Sequence, residues 1–204
     1  MFVTRHSSVT DPAVRQKIWV LYDMAFRPLT ELAVCREMLY RHEFEHLVAD
    51  PVNRTWILWH EDQPIGMTVI TTDINTTHYL SRPFFEKHYP DHVLRNAIHY
   101  VLFVVVHPAH VAKGALVKLA RESFGLEAEE GNLVIFDSPL VNQPAERGGM
   151  AELVGRLASM VSPGVETEQV DVQRFYAIDF AKGARHQAAE QLRASQGGAV
   201  RSPA

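Results

Sequence analysis

Cysteine is almost absent from this chain. Cys35 stands alone, so an internal disulfide framework is excluded and a reducing compartment is expected. Long apolar runs are missing too. The most apolar stretch, Val101 to Val106, is six residues, against roughly 20 for a membrane helix. The opening residues, MFVTRHSSVTD, contain no apolar signal core. A soluble cytoplasmic protein without membrane insertion is the expectation. There is no excess of positive charge: 20 Lys and Arg face 24 Asp and Glu, for a formal charge of −4. That balance gives no support to phosphate neutralisation, and no nucleic-acid partner is expected. The 11 histidines can move it below neutral pH. Neither GxxxxGK[ST] nor GxGxxG occurs, and no repeat is present. Disorder is excluded as well, because 47% of the 204 residues are apolar and 22% charged, enough to build one core.

The residues present read as a mixed α and β chain. Phe2 to Arg5 can form a short strand. Asp11 followed by Pro12 is a helix start, and Ile18, Leu21, Tyr22 and Ala25 recur at helical spacing over about 12–26. Thr30 is placed to cap a second helix reaching about Val48, with Leu32, Cys35, Leu39, Phe44 and Leu47 on its apolar face. Cys35 then reads as a small buried hydrophobe. Residues 54–60 and 65–72 alternate as an antiparallel hairpin, with Gly66 and Met67 marking a bulge or a close backbone approach. Residues 73–97 hold aromatics and prolines. They read either as a short helix and loop beside a ligand cleft or as a packed excursion. Ile98 to Val106 reads as a central strand covered on both sides. Ala109 to Phe124 reads as a helix with Gly125 as its C-cap, and residues 132–136 as a strand. That order predicts a parallel pair with a crossover helix. A helix within 145–161 and an extended segment over 166–180 follow. Residues 1–180 read as one domain, and 181–204 as a frayed helix entering a disordered tail.

The segment VLFVVVHPAHVAKGALVKLARE carries the most chemistry. An apolar strand meets a helix whose first amides have no intrahelical acceptors. Such amides can cradle a phosphate or pyrophosphate. Lys113 adds positive charge, Gly114 permits close approach, and Ala112 and Ala115 are small. The same residues also suit a plain strand, turn and packed crossover helix.

The order of elements and this segment resemble the GCN5-related N-acyltransferase (GNAT) family, whose motif is roughly V-x-P-x-x-[QR]-x-x-G-x-[GA]. Val106, Pro108 and Gly114 match it. Val111 stands at the usual Gln or Arg, Ala112 at a common glycine and Leu116 at the final small residue. The resemblance covers about residues 2–180 and implies an α+β fold in α/β/α layers. Its mixed, largely antiparallel twisted sheet would hold a splayed parallel central pair, here the strands at 98–106 and 132–137. It further implies acyl transfer from acetyl-CoA or a longer acyl-CoA, as co-substrate, to a small-molecule or peptide amine. Val106, Val111, Ala112, Lys113, Gly114, Ala115 and Leu116 would bind the carrier. As an imidazole, His107 suits proton transfer near neutral pH, and His99 and Tyr100 alternate on the preceding strand. Asp137, Ser138 and Asn142 follow the next strand, where Asn142 could bond carrier or acceptor. Where the family often places a tyrosine acid, this chain has Gly148 and Gly149. A weaker similarity to acyl-homoserine-lactone-synthase-like members implies room for long acyl groups. The family reading leaves space for a homodimer, and for a non-catalytic acyl-CoA-binding domain.

A different chemistry is written in His42-Glu43-Phe44-Glu45-His46, a literal HExxH. On a helix, His42 and His46 would face one zinc ion and Glu43 would activate water in a hydrolase. The extended motif would need glycine at 49 and histidine at 52, where Ala49 and Val52 stand. The alternative is a solvated helix face, and no metal is assigned.

Overall fold

The computed structural model describes residues 1–35, 38–111, 113–142, 149–179 and 190–191. The chain divides into two compact units, Met1–Glu168 and Gln169–Ala204. The first holds the sheet. In chain order it runs β1 (Phe2–His6), α1 (Pro12–Phe26), α2 (Arg41–Ala49), β2 (Asn53–His60), β3 (Gln63–Thr71), α3 (Arg82–His88) and α4 (Pro90–Leu94). Then come β4 (Ile98–Val106), α5 (Pro108–Val111), α6 (Ala115–Glu130), β5 (Leu133–Ile135) and α7 (Met150–Val161). No helix among the described residues is long and apolar enough to cross a membrane.

The sheet order is β1-β2-β3-β4-β5. The first four strands are antiparallel neighbours, and β4 and β5 run parallel. Alternation along the strands sends side chains to opposite faces. On one face Ile57, Met67, Val69, Phe103 and Val105 pack against Ile18, Leu21 and Tyr22 of α1 and Phe44 and Val48 of α2. On the other, Trp56, Leu58 and Ile65 meet Ala115 and Leu119 of α6, and α7 packs on α6. The three layers and the mixed sheet are those expected from the sequence.

Local chemistry explains the helix starts. The Asp11 carboxylate accepts from the amides of Ala13 and Val14, and Pro12 occupies the first turn. The expected long second helix is not formed. Residues Arg27–Thr30 make a 3-10 turn, and α2 begins only at Arg41, where the Tyr40 amide donates to Glu43 Oε2 at 2.7 Å. The Leu39 amide is taken by the buried Tyr22 hydroxyl at 2.9 Å, which holds this stretch out of helical bonding. Leu32 and Val34 therefore face solvent, and Cys35 is exposed rather than buried.

The hairpin carries its bulge one residue before the expected pair. Leu58 opposes Gly66 and Trp59 opposes Pro64, so Ile65 is the extra residue. Gly66 does sit close to backbone: a Cβ there would lie 3.4 Å from the Val105 carbonyl. The crossover helix also differs from its expected span. Gly114, at φ 74°, separates the short α5 from α6. α6 then runs through Gly125 to Glu130 and ends at Gly131, at φ 65°. Among the described residues, 166–179 join no ladder. The alternation at Val170-Asp171-Val172 is strand-like, but a strand exists only where a neighbour takes its backbone bonds.

Candidate active site

β4 and β5 are paired only at Ile98–Leu133, His99–Val134 and Tyr100–Ile135. Beyond Tyr100 the two chains part. The His107 amide donates to the Ile65 carbonyl at 2.8 Å, which sets the phase of the β3–β4 ladder. The backbone groups of Phe103 and Val105 face β3, and those of Val104 and Val106 face the opening. A second bulge lies here. Val69 opposes Phe103 and Ile70 opposes Val101, leaving Leu102 as the extra residue on β4. It reverses the alternation along the strand. His99 reaches α6, bonding Glu127, while Phe103 packs on Tyr22 of α1 with ring centroids 4.8 Å apart.

A cavity of about 290 Å³ fills the opening. Its walls come from Val101 to Val106 of β4, from Phe136 to Pro139 after β5, and from both helical layers. Leu116 and Leu119 of α6 and Val154 and Leu157 of α7 stand on one side, and Ala25, Phe26 and Leu29 on the other. Beside it the chain turns from β4 into α6. Among the described residues, Lys118 is the first of α6 to bond back, to the Gly114 carbonyl at 3.0 Å. The amides of Ala115, Leu116 and Val117, in the first turn, take no backbone acceptor among the described residues. Lys113 and Gly114 are exposed next to them. The single helix expected over 109–124 is instead α5 followed by α6, divided at the left-handed Gly114.

The sequence candidates separate into two groups. Val106 and Leu116 line the cavity, as does Asn142. Ala115 is buried in the turn that presents the free amides. Val111 is exposed on α5, and Ala112 lies outside the described residues. His107 does not line the cavity. Its Nδ1 accepts from the Ala109 amide at 3.2 Å, capping its own turn, and its ring stands 5.6 Å from that of His110. Desolvation, then the charges of Lys113, His60 and His107, hold the His110 imidazole below its ordinary range.

Tyr100 is buried at the point where the strands part, and its hydroxyl donates to Asp137 Oδ1 at 2.5 Å. Asp137 is the sole ionisable residue among the described residues lining the cavity. The buried Ser138 hydroxyl beside it has no hydrogen-bond partner among the described residues. An unmet polar atom is uncommon in a folded protein, and on a cavity wall a water or a ligand group can satisfy it. The sequence named Tyr100, Asp137 and Ser138, but nothing in it revealed the Tyr100–Asp137 pair, which needs the β4–β5 register to be seen.

His99 is drawn elsewhere. It meets Glu127 at 2.5 Å in a buried network where Glu127 also accepts from Asn132 (2.7 Å) and Arg54 (3.0 Å). Burial pushes the Glu127 carboxyl up, but His99, Asn132 and Arg54 outweigh it and hold the pKa below the usual range. His99, Glu127 and Glu130 are close enough together to suit a metal. Arg54 already supplies their cation, however, with two bonds to Glu130 at 2.8 and 3.0 Å. The HExxH residues are not so grouped. His42 and His46 are exposed on α2, His42 stacks on Tyr40, Glu43 caps the helix, and Glu45 pairs with Arg41 at 2.9 Å. No third ligand joins them among the described residues.

No family model matches the chain, and no curated protein matches it in sequence. Solved structures do match. The aminoglycoside acetyltransferase meta-AAC0020, from an uncultured soil metagenomic sample, aligns in its trehalose complex with TM-score 0.51 and 14% identity, over 87% of this chain and 96% of that one. Its sisomicin complex aligns with TM-score 0.50 over the same shares and at the same identity. The fold is that of the GCN5-related N-acyltransferases.

Proposed function

We propose that this chain transfers an acyl group from a coenzyme A thioester to a primary amine. The observation that carries the reading is the early parting of β4 and β5 around a cavity that begins beside the first-turn amides of α6. The fold shared with an aminoglycoside acetyltransferase supports it. The donor set fits the carrier: Ala115, Leu116 and Val117 offer amides and Lys113 a charge for the pyrophosphate. The outward backbone groups of Val104 and Val106 can pair with the amides of the pantetheine arm.

In the transfer a C–N bond forms and the C–S bond breaks, with the electron pair leaving on sulfur. An ammonium acceptor gives up two protons in becoming an amide N–H. One passes to a base and then to solvent, and the other ends on the thiol. Asp137, fixed by the Tyr100 hydroxyl, draws in the ammonium and takes the first proton. The Ser138 hydroxyl donates toward the departing sulfur. Asn142 orients the acceptor. His107, engaged in its own turn, shapes the carrier loop.

Mass spectrometry and thiol release, followed with acetyl-CoA and a panel of small amines and peptide N-termini, test the reading. One thiol per acylated amine is expected. Asp137→Asn and Tyr100→Phe are expected to lower kcat/KM by about 10²-fold or less, the lower range of acid–base contributions. Failure of calorimetry to detect coenzyme A binding at millimolar concentration would end the proposal.

A further inference from the structure

We propose that the cavity selects an acyl chain of about six carbons rather than acetyl. This rests on reading the opening as the thioester site. The walls decide the chemistry. On the α1 side they are Ala25, Phe26, Leu29 and Phe103, none of them polar. Thr68 lines the cavity from the α6 face of β3, and its hydroxyl donates to the Phe103 carbonyl at 2.9 Å. A sugar hydroxyl or ammonium group reaching the α1 end would meet no polar side chain among the described lining residues, and its desolvation would go uncompensated. Asp137, the one carboxylate on the cavity wall among the described residues, stands after β5 and is held by Tyr100. A polycation gains one charge contact there. A hydrocarbon chain, in contrast, leaves water for a wall of the same character.

The size agrees with such a tenant. An apolar cavity of about 150 Å³ accepts benzene, so one of about 290 Å³ holds roughly a dozen non-hydrogen atoms. The sulfur end of the pantetheine arm takes about half of these, leaving room for roughly six carbons. Acetyl would leave most of the α1 side unfilled. The inference separates this chain from the aminoglycoside acetyltransferase whose fold it shares.

Calorimetry on the full chain with coenzyme A, acetyl-, butyryl-, hexanoyl- and decanoyl-CoA tests the proposal without knowledge of the acceptor. Affinity is expected to rise about threefold per added methylene up to hexanoyl, a little less than the full transfer gain for a CH₂, and to stop rising at decanoyl. Ala25→Phe is expected to cut the hexanoyl-to-acetyl affinity ratio at least tenfold. If coenzyme A binds but hexanoyl-CoA binds no tighter than acetyl-CoA, the chain-length proposal falls and the acyltransferase reading stands. If coenzyme A itself does not bind, both fall.

Discussion

Two glycines on the same stretch of chain have opposite duties. Gly114 sits at φ 74° with nothing within 4 Å of a built Cβ, so its cost to replace is purely conformational. Gly114→Ala is expected to lower stability by about 1–2 kcal/mol, read as a lower urea midpoint, and to weaken coenzyme A binding by displacing the amides of Ala115–Val117. Gly125 has equally open space but lies inside α6. Gly125→Ala is expected to raise stability by about 0.5–1 kcal/mol. Had the helix ended at Gly125, as the sequence suggested, that sign would be reversed. Ser138→Ala poses the same kind of test for the cavity wall. Removing a buried hydroxyl that has no partner among the described residues is expected to leave the free chain no less stable, while the turnover of bound acyl-CoA is expected to fall. A loss of stability with unchanged turnover would make Ser138 structural.

Elements were legible where one face meets a core, and illegible where a distant partner decided. The hairpin, β4 and α1 declare themselves by period and by caps such as Asp11. The second helix did not, because the Tyr22 hydroxyl takes the Leu39 amide from 17 residues away, and no local pattern contains that bond. The bulge at Leu102 was hidden for a like reason: Val101 to Val106 is apolar on both faces, so the sequence has no alternation to break. The site was half legible. The motif pointed to Gly114 and its neighbours, but the cavity walls from α7 and from Ala25 to Leu29 depend on packing. The Glu127 network shows how far such packing reaches, since it ties the paired end of β4 to α6 and β2. Glu127→Gln is expected to cost about 1–3 kcal/mol, the range for a buried charged hydrogen bond. Glu127 and Glu130 both have folded pKa values below the ordinary 4.5. Their contribution is therefore complete above that value and drains away as pH falls through the lower folded values. Urea titrations between pH 6 and 3 are expected to show that acid loss in the parent and a shallower one in Glu127→Gln.

At the scale of the whole molecule, the fold is closed at one end of a strand pair and open at the other. The Glu127 network and the three-residue ladder hold the closed end. Nothing among the described residues bridges β4 to β5 beyond Tyr100. Closing the sheet fully would bury more backbone bonds, so the open end is a standing cost that a ligand can relieve. Amide exchange reads this directly. In the free chain the Phe103 and Val105 amides, turned to β3, are expected to exchange slowly, and those of Val104, Val106 and Ala115–Val117 faster. With coenzyme A at 100 times its Kd, the fast set is expected to slow while the slow set stays as it was. The linked stabilisation is about 2.7 kcal/mol, which for a chain of this size raises Tm by about 5–10 °C. If Val104 and Val106 are as protected as Phe103 and Val105 before any ligand is added, the strands are joined in solution and the opening is not there to be filled.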